Sequence, residues 1–353
     1  MNIHDIPTPA LLIDADAFES NIKRMAAATA KKLRPHAKAH KCVNVAKRQI
    51  AAGAIGICAA TVPEAELMVR AGIPGVLLTS PLADPGKMAR MAALASIAPD
   101  IAVVVDHPAQ MLWYAEAASA ANVTLNVLVD LDVGDHRTGI TPGAPALELV
   151  QKIVRTPHLR FAGLQAYSVR ASHTAATDGR EAFTRTTWQC AVETAALISH
   201  HGIPVPILTG GSTGSHHADA TVPEVTELQA GSYVFMDEAY TRIGDIPFLN
   251  AMNVLATVIS ATHSDRVTVD AGFKAFSTDR PFGPRPVDHG IARYEWAGDE
   301  FGYIFQADGL HVGDRIRFIP PHCDPTVNLY DRMHICRGEV VEDVWPVMNR
   351  LTS

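Results

Sequence analysis

The segment Leu33-Arg34-Pro35-His36-Ala37-Lys38-Ala39-His40-Lys41 alternates apolar and polar residues with a period of two, the pattern of a β-strand with one face on an apolar layer. Leu33, Pro35, Ala37 and Ala39 share one face, and Arg34, His36, Lys38 and His40 the other. Its first part, LRPHAK (33–38), is the first of eight short β-rich runs. The others are IGICAA (55–60), GVLLTS (75–80), IAVVVD (101–106), TLNVLVDLDV (124–133), LRFAGLQAY (159–167), PVPILTG (204–210) and EVTELQA (224–230). Between them lie stretches such as 63–72, 84–97 and 179–202, whose apolar positions recur at helical spacing. Acidic, Ser, Thr or Pro residues open several of these helices and Gly closes them. Eight such units in about 200 residues predict an α/β fold, a closed parallel (β/α)8 barrel rather than an open doubly wound sheet.

Outward from the barrel the texture changes. After residue 240 come alternating strands with turn residues, FLNAMNVLATVIS, RVTVDAG, ARYEWAGDEFGYI, GDRIRFIP and MHICRGEVVEDVWPV, which predict a mostly antiparallel β-domain. The expected division is an N-terminal strand, 1–15, joining that β-domain, a barrel over 16–238 and a C-terminal β-domain over 239–353. Two domains also suit 353 residues, because single cores stop growing beyond roughly 250 to 300 residues.

With 30 basic and 37 acidic side chains, net −7, the chain has no basic stripe to neutralise a phosphate backbone, so a nucleic-acid partner is not expected. No apolar run approaches the roughly 18 residues that span a bilayer, and the start lacks a secretory pattern. The expectation is a cytoplasmic protein with no membrane partner. The five cysteines form no CxxC pair and read as reduced thiols.

Three features carry chemistry. Lys38, at the C-terminal end of the first strand, faces the barrel mouth on this alternation, where barrel enzymes place their reactive groups. His36, His40 and Arg34 around it are expected to disfavour its ammonium form and leave a nucleophilic amine suited to Schiff-base chemistry; Lys41 is out of phase. Second, Thr209-Gly210-Gly211-Ser212-Thr213-Gly214-Ser215 and Gln229-Ala230-Gly231-Ser232-Tyr233 follow the seventh and eighth strands, the strand ends at which barrels bind phosphate. Third, prolines around Pro320-Pro321-His322-Cys323-Asp324-Pro325 favour an extended backbone. That would point His322 and Asp324 the same way, able to share an ion with an open coordination sphere, and turn Cys323 inward. Such oxygen and nitrogen donors suit Mn²⁺, Mg²⁺, Co²⁺ or Zn²⁺.

RPHAKAHK, preceded by TPALLID, resembles the pyridoxal-phosphate enzymes with the alanine-racemase type of barrel (fold type III), specifically the D-threonine aldolase and D-serine dehydratase family, and the match runs over nearly the whole chain. The resemblance implies that Lys38 carries pyridoxal 5'-phosphate. Thr213, Gly231 and Ser232 would hold its phosphate, with Tyr240 a further contact. Arg137, in DVGDHRTG, would face its phenolic oxygen, and Tyr167 would line its ring. Gln229 stands where alanine racemases carry an arginine against the pyridine nitrogen. HCDPTVNLYD resembles the aldolase form of the metal motif, where the second ligand is aspartate; the dehydratases have cysteine there.

The resemblance therefore implies a metal-activated aldolase, with manganese first among the ions, that cleaves D-threonine, D-allo-threonine or 3-hydroxy-D-aspartate to glycine and an aldehyde as a homodimer. Lys38 and His322 would be catalytic, and Arg170, His173 and Arg293 could recognise a second carboxylate. The alternatives are a D-serine or 3-hydroxyaspartate dehydratase and a pyridoxal-phosphate carrier protein. Phe301 departs from many relatives, which have histidine there.

Overall fold

Strand β1 (Ala10–Asp14) precedes the barrel, and the eight apolar runs then supply its strands in order. These are β2 (Lys32–Leu33), β3 (Cys58–Ala59), β4 (Leu77–Leu78), β5 (Ala102–Val105), β6 (Leu125–Asp130), β7 (Leu159–Ala166), β8 (Ile207–Gly210) and β9 (Glu227–Leu228). In this computed structural model, which describes residues 1–175, 177–287, 290–306 and 308–350, they make one all-parallel sheet in the order β2-β9-β8-β7-β6-β5-β4-β3. Its two ends are joined. His36 bridges Cys58 in parallel, and the Ile55 and Cys58 N–H groups each donate at 2.8 Å to the carbonyls of Leu33 and Pro35. The parallel (β/α)8 barrel is thus the observed fold.

The helices begin where their capping chemistry allows. The Thr61 hydroxyl accepts from the Glu64 N–H ahead of Val62–Arg70, with Pro63 in the first turn, and Asp84 accepts from the Lys87 N–H ahead of Pro85–Ala95. Cys58, Leu77, Ala102, Val104 and Leu128 pack as one apolar cluster with Ala162 and Ile207, a contribution from each of β3 to β8. Apolar burial of this kind, at roughly 25 cal/mol per Å², is what holds the sheet together.

The remaining strands are β10 (Met252–Ser260), β11 (Arg266–Val269), β12 (Arg285–Pro286), β13 (Arg293–Trp296), β14 (Gly302–Phe305), β15 (Arg315–Ile319), β16 (Arg332–Arg337) and β17 (Val340–Pro346). They form a second sheet in the order β13-β14-β11-β10-β1-β16-β17, with β15 pairing β10 and β12. All its pairings are antiparallel except β1 with β16. Phe276, Tyr294 and Phe318 meet edge to face at 5.7 to 5.8 Å in its core, and the Tyr294 hydroxyl donates to the Ala271 carbonyl.

The chain divides into two compact units that are discontinuous in sequence. The barrel unit takes Met25–Lys38 and Val43–Gly231; the β-unit takes Met1–Arg24, Ala39–Cys42 and Ser232–Arg350.

Candidate active site

In the barrel unit the polar residues gather at the C-terminal strand ends. Lys38 lies not on a strand but in a 3-10 turn, Ala37–Ala39. Pro35 has no N–H to continue the ladder, and His36 is the last residue to bridge. The expected alternation therefore stops one residue short of the turn. The Lys38 N–H donates to His36 Nδ1 at 3.3 Å, and His36 Nε2 lies 3.0 Å from Thr79 Oγ1, whose own hydroxyl donates to the Ala59 carbonyl at 3.2 Å. This bonding assigns the neutral imidazole with its hydrogen on Nε2.

Arg34 does not join that cluster. Its guanidinium donates twice to Glu227 at 2.9 Å and once to the Gly75 carbonyl, all buried. Burial opposes the charge, yet Glu227 more than offsets it and the guanidinium pKa is raised. Arg34 is therefore neutralised by a carboxylate rather than acting on the lysine. His40 also leaves the group: it belongs to the β-unit, where its Nδ1 accepts from the Cys42 N–H.

A row of buried amides crosses the strand ends. Gln165, next to last in β7, donates from Nε2 to the Thr79 carbonyl at 3.0 Å and to Asp130 at 2.8 Å. Gln229 donates from Nε2 to Gln165 Oε1 and to Thr209 Oγ1, both at 3.2 Å. Burial pushes the Asp130 carboxyl up to about 6, against the hydrogen bonds it accepts from Gln165 and Thr138. The Thr138 bond, 2.8 Å, and one from the Gly139 N–H to Asp106, 2.9 Å, pin the loop that bears Arg137. The Arg137 guanidinium stands 5.2 Å over the Tyr167 ring.

At the end of β8 and in the loops after β8 and β9, the backbone is packed too tightly for side chains at three glycines. A Cβ on Gly210 would lie 1.8 Å from the Ala166 carbonyl oxygen, one on Gly214 2.0 Å from that of Ser172, and one on Gly231 2.6 Å from that of His36. Asp219 braces the loop after β8 from below, accepting from Ser215 Oγ at 2.7 Å, the Ser212 N–H at 3.2 Å and Trp188 Nε1 at 2.8 Å. Burial pushes its carboxyl, too, up to about 6. Thr213 is buried in the same loop, its carbonyl 2.9 Å from His216 Nδ1.

In the β-unit the proline-flanked segment is only partly extended. His322 is extended (φ −147°, ψ 128°), but Cys323–Val327 is a short helix with Asp324 in its first turn. Pro325 does not prevent this, because the N–H it lacks would have no partner in a first turn. Cys323 is fully buried, as expected, and burial raises its thiol well above the ordinary value. His322 Nδ1 pairs with Asp279 at 2.7 Å, and its backbone N–H donates to Ser277 Oγ at 3.0 Å. Asp324 Oδ1 lies 3.4 Å from the Ser232 hydroxyl. Asp237 is the clamp: its carboxylate accepts from the Cys323 N–H at 2.8 Å and from the Tyr240 N–H at 2.9 Å.

Comparison with known proteins places this chain. Residues 13–239 match the alanine racemase N-terminal domain, and residues 251–336 a serine dehydratase domain. A D-threonine aldolase from Arthrobacter sp. is 39% identical over 356 residues, covering 98% of this chain and 93% of the relative. The chain belongs to the D-threonine aldolase and D-serine dehydratase family. A 3-hydroxy-D-aspartate aldolase from Paracoccus denitrificans is 34% identical over 363 residues, 99% of this chain and 94% of that one. The crystal structure of D-threonine aldolase from Filomicrobium marinum superposes with a TM-score of 0.94 at 39% identity, covering 98% of this chain and 96% of the other. The family's enzymes depend on pyridoxal phosphate, and this member is an aldehyde-lyase of the D-threonine aldolase type.

Of the three polar neighbours expected around Lys38, His36 is bonded to it; sequence reasoning missed Asp279 and the amide row through Gln165. A polar Gln165 inside the apolar run LRFAGLQAY was the available signal, since a buried amide in a strand needs partners. Asp279 left none, being 43 residues from His322. Arg170 and Arg293 are exposed beside Asp135 and Glu295 respectively, so their charges are already matched. No helix among the described residues is long and apolar enough to cross a membrane.

Proposed function

We propose that this chain is a metal-activated, pyridoxal-phosphate-dependent aldolase that cleaves D-configured β-hydroxy-α-amino acids, among them D-threonine, D-allo-threonine and 3-hydroxy-D-aspartate, to glycine and an aldehyde. The observation that carries this reading is Asp324, an oxygen donor two residues from His322, with the intervening Cys323 buried and held protonated. In the dehydratase reading that second donor is a thiolate.

The residues present fit both groups. Close backbone packing requires glycine at Gly210, Gly214 and Gly231, which keeps the N–H groups of these loops bare of side chains, and Thr213, Gly231, Ser232 and Tyr240 would hold the phosphate. Lys38 would bind the cofactor covalently, Arg137 would face its phenolic oxygen, Tyr167 its ring and Gln229 its nitrogen. The cofactor supplies an electron sink for the α-carbon. For the ion, His322 has a carboxylate partner of the kind that orients metal-binding histidines, its Nδ1 lying 2.7 Å from Asp279. Manganese is the first choice. The ion supplies Lewis acidity that lowers the pKa of the substrate hydroxyl.

The protein's own residues do the rest. Arg137, permanently charged, keeps an adjacent oxygen anionic. His322 is essential to removal of the β-hydroxyl proton, and that loss drives rupture of the Cα–Cβ bond. Lys38 would hold the cofactor between turnovers. The same reading makes the active form a cytoplasmic homodimer, which sedimentation tests.

A panel of D-β-hydroxy amino acids, incubated with and without EDTA and with added Mn²⁺, should yield glycine and aldehyde only when the ion is present. Ammonia with pyruvate or oxaloacetate, and no aldehyde, would replace the aldolase by a dehydratase; no turnover at all would favour a carrier.

A further inference from the structure

The amide row at the barrel's strand ends has a fixed polarity. Gln165 Nε2 faces two oxygens, the Thr79 backbone carbonyl and Asp130 Oδ1. A carbonyl is never a donor, so turning the Gln165 amide over would set oxygen against oxygen. Gln165 must then offer Oε1 to its neighbour, and Gln229 must answer with its NH₂, whose second hydrogen goes to Thr209 Oγ1. Thr209 could accept or donate and so does not choose; the choice comes from Thr79 and Asp130 through Gln165. Both Gln229 hydrogens are committed. Its Oε1 has no hydrogen-bond partner among the described residues, although the residue is only 5% exposed, and that oxygen is not sealed away from solvent.

An amide presented this way can only accept. A neutral pyridine nitrogen would meet it with a lone pair and be repelled; a protonated one would donate to it. We infer that Gln229 presents its amide oxygen to the ring nitrogen of the bound cofactor and accepts a hydrogen bond from it, so that this chain holds the ring protonated, and that Gln165 is the positioning residue that sets this polarity. The inference rests on the cofactor assignment proposed above. An amide turned the other way, or an arginine, would donate and hold the ring nitrogen unprotonated. Protonation deepens the electron sink, and a low-dielectric site makes each bond of the row count for more.

The test is nitrogen NMR of the full-length holoenzyme reconstituted with pyridoxal 5'-phosphate ¹⁵N-labelled in the ring, titrated from pH 6 to 9. In the wild type the ring nitrogen should stay at its protonated shift to at least pH 8. Gln229→Glu, which keeps an acceptor, should do the same, whereas Gln229→Arg should show the unprotonated shift. Gln165→Leu should lower the titration midpoint by at least one pH unit. An unprotonated wild-type ring, or a Gln165→Leu midpoint equal to wild type, would overturn the inference while leaving cleavage to glycine and aldehyde intact. Failure of the labelled cofactor to be trapped at Lys38 by borohydride would instead overturn the cofactor reading, and this inference with it.

Discussion

The strand ends of the barrel and the His322 segment of the β-unit are built by different means. In the barrel, Gln165, Thr209 and Gln229 are placed by strand register, and their partners are buried amides, carbonyls and hydroxyls. In the β-unit, His322 and Asp324 sit at the start of a short helix, where His322 pairs with Asp279 and the buried clamp Asp237 holds the Cys323 N–H. Register is a property of the whole sheet, so damage in the barrel should spread to the fold. A charge pair is local, so damage to the His322–Asp279 pair should stay in ligand affinity.

Lys38→Ala gives the largest expected effect. It should cost on the order of 10⁴-fold in turnover and abolish the borohydride-fixed absorbance, yet leave the circular dichroism spectrum unchanged; retained turnover would remove the lysine from the chemistry. Next, Glu227→Ala strands the buried Arg34 charge and should destabilise the barrel by about 3–5 kcal/mol, read as a lower urea midpoint. A midpoint equal to wild type would break the contrast, because the barrel would then tolerate local damage.

Asp219 supplies a pH test. Its carboxyl is raised in the fold to about 6 from 3.8, so the folded state binds the proton more tightly than the unfolded state. Its contribution to stability is full below pH 3.8 and is lost as pH rises through 6, a span of about 3 kcal/mol. Urea midpoints should therefore fall less steeply between pH 4 and 6.5 in Asp219→Asn than in the wild type, and equal slopes would mean that the carboxyl titrates normally. The smallest effect is expected for Asp279→Asn, which should weaken Mn²⁺ activation by roughly 10- to 100-fold with an unchanged urea midpoint. A loss of stability there would show that the β-unit cluster is structural.

The same contrast explains what could be read from the amino-acid order. The eight strands were legible because each is an apolar run between capped helices, and Lys38 because it closes the first of them. The turn that carries Lys38 was not legible, because alternation says nothing about where a ladder stops; that depends on Pro35 and on the bridge from His36 to Cys58. His322 and Asp324 could be picked out as residue types, but the helix beginning at Cys323 could not, since flanking prolines are compatible with both an extended chain and a helical first turn. Asp279 and the Arg34–Glu227 pair are long-range matches that no local pattern encodes.

The order in which the chain visits its two units has a consequence for the gene. Lys38 is the last residue of a barrel segment, four residues of the β-unit follow it, and the barrel resumes at Val43. No single crossover in the coding sequence can therefore hand the barrel to another protein, or exchange the β-unit for a different one, without rewriting the codons beside Lys38. Variation in such a gene should accumulate by point substitution rather than by module shuffling.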